Sequence, residues 1–292
     1  MVMSALSSSF SDPDFWQALA PNLTIEGDNQ QEAPVFLSGD VLGDLSQQFH
    51  EDGYLLLPPV FEECDFGPLR DGILALERAG LPPVFIYLYD QPYVLFARLQ
   101  HLIGYFLGDR FALLPNFWAW NIPVREGARG WAPHQDCQAK TRFPNGEGDD
   151  VLMSLSLWVP LTDATLDNGC MSVLPRSNEP YYNLPLDDPD SIKPEHGVAL
   201  PAQVGSVLGW SQDLYHWSNR VTKNANASRL SLSLEFQNRA FDPLSVPLLD
   251  VTRPPPFKNR LELVRQQFSR YKHMEETGFV IDGTCDKPVP VG

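Results

Sequence analysis

From residue 111 onward the chain is a succession of short runs rich in aromatic and branched residues, at 111–114, 117–122, 131–136, 151–159, 171–174, 197–200, 206–210 and 230–236. Turn clusters separate them, among them Pro-Asn-Gly-Glu-Gly at 144–148 and Asp-Asn-Gly at 167–169. Strands at this spacing, with no helix between most pairs, are expected to close on one another as an antiparallel sandwich or barrel.

The first third has a different texture. Asp12 followed by Pro13 predicts an N-cap and a first helical turn, giving a short helix to about Leu19. Ser38 or Asp40 caps a second helix that runs to about Glu51 and is stopped by Gly53, and a strand at 54–57 ends at Pro58 and Pro59. Helical spacing of Leu69, Ile73, Leu76 and Ala79 predicts a helix over 65–79 closed by Gly80, and another is expected over 92–107. After Pro254, Pro255 and Pro256, a last helix is expected at 258–275, with Leu261, Val264, Phe268 and Tyr271 on one face.

Charge excludes one class of function. The 292 residues carry 21 Lys+Arg against 37 Asp+Glu, a net charge of −16, with no basic run to displace counterions from a nucleic acid. The acidity is local: residues 1–69 hold twelve of the acids and no Lys or Arg. Its expected role is solubility. The opening segment has neither the basic nor the apolar part of a signal peptide, and the apolar stretch at 93–107 is too short for a membrane span and carries Arg98, Gln100 and His101. Four widely spaced cysteines without a C-x-x-C pair suggest neither a zinc knuckle nor a disulfide framework. A cytoplasmic protein without membrane or nucleic-acid partners is expected. No pattern speaks to oligomeric state.

The segment Trp131-Ala-Pro-His-Gln-Asp136 carries the chemistry. On a strand, residues two apart face the same way, so His134 and Asp136 can grip one metal while Gln135 faces away. A second histidine would complete a two-histidine, one-carboxylate facial triad, which leaves open positions on Fe(II). His216, 82 residues beyond His134, is the candidate, because several strands intervene and a barrel can return the chain. Arg229 opens the last strand and offers a planar fork to an anionic cosubstrate, with Arg220 as the alternative. Cys137 alternates away from the ligand face, so packing is its expected role. His50, His101, His196 and His273 have no partner at useful spacing.

At these residues the sequence resembles the phytanoyl-CoA dioxygenase-like family of Fe(II)/2-oxoglutarate oxygenases. The resemblance extends to Leu157-Trp-Val-Pro-Leu161, Asp167-Asn-Gly-Cys-Met171, Val173-Leu-Pro-Arg-Ser177 and His50-Glu-Asp-Gly-Tyr-Leu55. It implies an α+β, mainly β fold: a double-stranded β-helix or jelly-roll barrel with supporting N-terminal helices and a C-terminal helix. One catalytic domain is expected over 1–292, with helical support to 109, a jelly-roll core at 110–240 and a C-terminal extension at 241–292. It further implies Fe(II) on His134, Asp136 and His216, with 2-oxoglutarate held by Arg229, Ser218 and Trp158. The family decarboxylates 2-oxoglutarate with O2, yielding succinate and CO2, and oxidises a substrate C–H bond. In related halogenases the carboxylate position holds Gly or Ala, whereas here Asp136 fills it. Hydroxylation is therefore the expected outcome, with desaturation and ring formation as variants.

Arg125, Arg129, Lys140 and Arg142 surround the H-x-D segment against Glu126 and Asp136, which leads to the expectation of a small acidic substrate contacted by Arg125, Arg129 and Arg142. Trp120 and Trp131, with Trp118, are candidates for the pocket wall. Arg142, Phe143 and the Gly-rich turn at 145–148 are expected to form a lid. Two other classes remain: a non-catalytic small-ligand or sugar-binding jelly roll, and a cupin-type metalloenzyme that does not use 2-oxoglutarate.

Overall fold

The sequence Arg-Leu-Ser-Leu-Ser-Leu-Glu-Phe at 229–236 alternates polar and apolar residues, and in the computed structural model it forms an interior strand with two faces of opposite character. The structure describes residues 9–27, 32–144, 150–178 and 194–271. Its elements are α1 (Pro13–Leu19), α2 (Gly39–Asp52), β1 (Tyr54–Leu57), α3 (Glu63–Arg78), a 3-10 helix (Pro83–Leu88), α4 (Gln91–Ala97), α5 (Gln100–Leu107), β2 (Phe111–Ile122), β3 (Arg142–Pro144), β4 (Asp150–Leu152), β5 (Ser154–Pro160), β6 (Met171–Val173), β7 (Val198–Leu200), β8 (Val207–Ser211), β9 (His216–Ser218), β10 (Arg229–Asn238) and α6 (Phe257–Tyr271).

Eight strands form two antiparallel sheets, a larger one in the order β1-β8-β5-β10-β2 and a smaller one in the order β7-β6-β9. This is the expected jelly roll flanked by helices. Strands β3 and β4 pair separately. Leu230, Leu232, Leu234 and Phe236 of β10 face a core shared with Leu157 and Val159 of β5 and with Phe96, Leu102, Ile103 and Leu107 of the helical layer. The polar residues of β10 consequently face the smaller sheet, and a cavity of about 230 Å³ opens between the two.

Local signals set most element ends. Asp12 accepts a hydrogen bond from Asp14 N at 3.0 Å and Ser38 accepts one from Val41 N, so the N-caps stand where the sequence placed them. Gly53 closes α2 at φ +85°, a conformation that a Cβ would strain.

Several elements differ from expectation. The helix expected over 92–107 is two helices: the carbonyl of Arg98 accepts from Val35 N at 2.8 Å and its side chain bonds Asp65 and Ala33 O, which turns the chain out of the helical path. The runs at 111–114 and 117–122 are one strand. The register to β10 slips between Leu234 and Phe236, opposite Pro115, which has no amide hydrogen to donate. The run at 151–159 is broken at Met153, whose amide bonds Thr141 O. Residues 131–136 are not a strand. They are irregular chain joined to β9 by the bridge of His134 to His216 and by the bond from Ser218 N to Trp131 O. The helix expected at 258–275 is observed as Phe257–Tyr271, and 272–275 lie outside the described residues, as does the turn at 145–148.

The C-terminal helix is tied to the N-terminal layer by a buried ion pair, Arg260 to Asp90 at 2.7 Å. Asp90 also accepts from Thr24 Oγ1, Glu26 N and Gly27 N, so one carboxylate joins three segments distant in sequence. Among the described residues, no helix is long and apolar enough to cross a membrane.

Candidate metal centre and its cavity

His216 lies on β9, and the backbone bridge between His134 and His216 brings the H-x-D segment against it, with N···O distances of 3.1 and 3.0 Å. One metal-ligating atom from each of His134, Asp136 and His216 lies within 4.8 Å of the others. Each histidine donates its Nδ1 hydrogen to a nearby carbonyl, His134 to Ala132 O at 2.8 Å and His216 to Leu214 O at 3.0 Å. Both Nε2 atoms are then the bare nitrogens, and both point at Asp136 Oδ1 from 3.5 Å. The other carboxylate oxygen, Oδ2, accepts from Ser156 Oγ at 2.6 Å and Trp210 Nε1 at 3.1 Å. Two nitrogens and one oxygen converge on one point.

Burial opposes a charge on Asp136, but His216, His134 and the Ser156 hydroxyl outweigh it and hold the carboxyl below the usual range. Burial lowers His216 to about 4, against the opposing pull of Asp136, so its imidazole is neutral near pH 7. An ionised carboxylate beside a neutral imidazole is the protonation state that a divalent cation requires.

Arg229 begins β10 with its guanidinium aimed into the same cavity, 1% exposed. Its contacts are Met171 Sδ at 3.4 Å and the Trp158 ring, 5.3 Å from Cζ to centroid, while Nε is buried without a hydrogen-bond partner. Burial lowers its pKa to about 10. A cation this deep, with no carboxylate in range among the described residues, is built to receive an anion. Ser218 also lines the cavity, and its hydroxyl donates weakly to Gly169 O and Asn219 O at 3.3 Å. Gly169 holds φ +87° with Asn219 O 2.8 Å from where a Cβ would stand, so the Asn-Gly turn lets the chain pass close behind Ser218. Arg220 is exposed and donates to Gly127 O.

The structure therefore brings together His134, Asp136, His216, Arg229, Ser218, Trp158, Trp120 and Trp131 around one cavity. It does not bring Arg125, Arg129 or Arg142 there. Arg142 donates to the carbonyls of Phe49 and His50 and pairs with Asp150 at 2.5 Å, fastening the β3–β4 pair to α2. Arg125 is exposed and Arg129 half-buried outside the lining. The local positive charge read from residues 125–142 thus belongs to loop and scaffold positions, and it no longer argues for an acidic substrate.

Sequence reasoning missed Ser156 and Trp210 behind Asp136, Tyr271 of α6 and, on β10, Glu235. For Glu235 the signal was present: six residues past Arg229 on an alternating strand, it shares the interior face.

A model of the family described as Phytanoyl-CoA dioxygenase (PhyH) matches residues 83–229, half of the chain. No curated protein matches. Among solved structures, the chain is similar to the non-heme monooxygenase ThoJ in a nickel complex, at 15% identity over 79% of this chain and 98% of that one, with TM-score 0.56. It is similar to HygX from Streptomyces hygroscopicus with nickel, 2-oxoglutarate and hygromycin B bound, at 18% identity, 70% and 89% coverage and TM-score 0.50. It is similar also to the epimerase SnoN in complex with Fe3+, alpha ketoglutarate and nogalamycin RO, at 18% identity, 75% and 96% coverage and TM-score 0.50. At these identities the likeness is one of fold.

Proposed function

The chain belongs to the phytanoyl-CoA dioxygenase (PhyH) family, and we propose that it is an Fe(II)/2-oxoglutarate-dependent dioxygenase that hydroxylates an aliphatic C–H bond of a small molecule held in the cavity. One observation carries the reading: a two-histidine, one-carboxylate donor set shares a cavity with a buried arginine that lacks a carboxylate partner among the described residues. The donor set suits Fe(II) with open positions, and Arg229 suits the distal carboxylate of a dicarboxylate cosubstrate. Pure ligand binding would not require both.

In this reading His134, Asp136 and His216 hold Fe(II), while Arg229 and Ser218 take the distal carboxylate of 2-oxoglutarate and Trp158 covers the guanidinium. Bound Fe(II), with 2-oxoglutarate and O2, supplies the oxidising power for C–H cleavage as 2-oxoglutarate is converted to succinate and CO2. The chain's share is placement. Ser156 and Trp210 hold Asp136 by one oxygen, the Nδ1 bonds fix both imidazoles, and the indoles of Trp118, Trp120 and Trp131 wall the space where a substrate is kept from bulk water.

The test is anaerobic addition of 2-oxoglutarate to Fe(II)-loaded protein, followed by admission of O2 and a metabolite screen for 2-oxoglutarate-dependent products heavier by one oxygen atom. A visible metal-to-ligand band and succinate formation are expected. Absence of the band favours the binding-protein or cupin-type alternative, and products lighter by two hydrogens favour desaturation or ring formation.

A further inference from the structure

Glu235 stands in the cavity wall with no role in the reaction just described. We propose that it is the substrate-recognition residue and that it takes the ammonium group of an amine, with the surrounding aromatic rings covering the rest of the cation. The proposal rests on the oxygenase reading of the site.

The carboxylate is built in. Asn116 Nδ2 donates to its Oε1, and Gln212 Nε2 donates to Oε2 at 2.6 Å. The slip of register at Pro115 places Asn116 beside it, and Tyr271 Oη reaches Asn116 Oδ1 at 3.5 Å. Two neutral amides orient a carboxylate without neutralising it. No Lys or Arg among the described residues forms an ion pair with Glu235, and Arg270, whose charge reaches it, is exposed at the end of α6. Burial, followed by the neighbouring Asp136, raises its pKa well above the usual range, so a cation seated beside it would stabilise the carboxylate form.

Placement makes the group useful to a substrate. Glu235 pairs across the sheet with Ser156, whose hydroxyl holds Asp136, so it lies beside the metal ligands. Arg229 is six residues back along the same strand face, roughly 20 Å away at the rise of an extended chain. The two ionic groups of β10 thus serve opposite ends of the cavity.

Charge inventory selects the ligand. With the cofactors in place, Fe(II) and Arg229 are matched by Asp136 and the two carboxylates of 2-oxoglutarate. Glu235 is the charge left over among the described lining residues, and an ammonium group balances it. The walls agree. Trp118, Trp131 and Tyr271 all line the cavity, and aromatic rings attract a cation placed over their faces.

The experiment compares three probes of one shape, cyclohexylamine, cyclohexanol and cyclohexanecarboxylate, binding to anaerobic protein loaded with Fe(II) and 2-oxoglutarate, read by tryptophan fluorescence and calorimetry. The amine is expected to bind at least tenfold more tightly than the alcohol, and the acid more weakly than either. In Glu235→Gln the amine-to-alcohol ratio is expected to fall to about one. A wild-type preference for the alcohol or the acid, or a ratio unchanged in Glu235→Gln, overturns the proposal. The wild-type comparison stands even where the variant fails to fold. The 2-oxoglutarate band in the same cuvette separates the two readings: a band without amine preference removes the Glu235 assignment alone, and amine preference without a band removes the oxygenase reading.

Discussion

Ser156 donates its hydroxyl hydrogen to Asp136 Oδ2 at 2.6 Å, and Trp210, its cross-strand partner on β8, donates to the same oxygen at 3.1 Å. Oδ1 is thereby left turned toward the two Nε2 atoms. Outer partners of this kind fix ligand orientation, and their loss typically weakens metal binding about 10- to 100-fold. Ser156→Ala is expected to lower Fe(II) or Co(II) affinity within that range, measured by anaerobic titration. An affinity within twofold of wild type would show that Trp210 alone holds the carboxylate. Asp136→Ala and His134→Ala, which remove ligands outright, are expected to abolish iron-dependent succinate formation, and full activity in either would dismantle the triad.

Arg229 separates binding from stability. A fully buried guanidinium without a counter-anion among the described residues destabilises the empty fold, and replacing such charges by apolar residues of similar volume is often neutral or stabilising by about 1–4 kcal/mol. Arg229→Met is therefore expected to raise the Tm of the cofactor-free protein while abolishing 2-oxoglutarate binding. Millimolar 2-oxoglutarate should raise the Tm of the metal-loaded wild type and leave the variant's unmoved. A variant that melts lower and still responds to 2-oxoglutarate would remove Arg229 from the cosubstrate site.

How much of this was legible in the sequence follows from which interactions are local. The strands β1, β8 and β10 and the caps Asp12, Ser38 and Gly53 are written in local alternation and single-residue propensities, and they stand within a residue or two of expectation. His134, Asp136, His216 and Arg229 were nominated by residue type, spacing and family resemblance. The route that placed Asp136 was different, since residues 131–136 form no strand and are held by the His134–His216 bridge, the Ser218 N to Trp131 O bond and the Gln135 side chain on Asp213 O. Arg142 misled because nearness in sequence to H-x-D is not nearness in space: the pairing of β3 with β4 carries its side chain to α2. Ser156 and Trp210 depend on the register of β5 against β8, and Tyr271 on where α6 docks, neither of which a local pattern encodes.

His216 predicts a pH dependence for the metal-free protein. Its pKa is about 4 in the folded chain against 6.5 unfolded, so above 6.5 neither state takes the proton and stability is flat. As pH falls from 6.5 to about 4 the unfolded chain binds a proton that the folded one refuses, and stability is lost, up to about 3 kcal/mol from this group. Asp136, also held low, acts in the same sense but below that window, its stabilisation being lost as the carboxylate protonates. Urea titrations at pH 7 and 4.5 check this: His216→Gln should lose less stability than wild type over that interval. An equal loss in both would assign the acid sensitivity elsewhere.

The pair of Asp90 and Arg260 tests whether the C-terminal helix is part of the site. Both side chains are buried to 1% exposure or less, and Arg260 also donates to Leu88 O at 2.8 Å and lies over the Tyr93 ring. Asp90→Asn preserves shape but leaves a buried cation uncompensated, at an expected cost of about 3–5 kcal/mol. Pairing it with Arg260→Leu removes the stranded charge and should recover a good part of that loss, whereas additive losses would show that the pair's worth lies in its hydrogen bonds rather than its charges. Because α6 ends at Tyr271, whose ring stands 4.8 Å from Trp131 in the cavity wall, the single variant should also weaken cavity ligands relative to the double one. Unchanged ligand affinity in a destabilised Asp90→Asn protein would show that Tyr271 keeps its place without the buried pair.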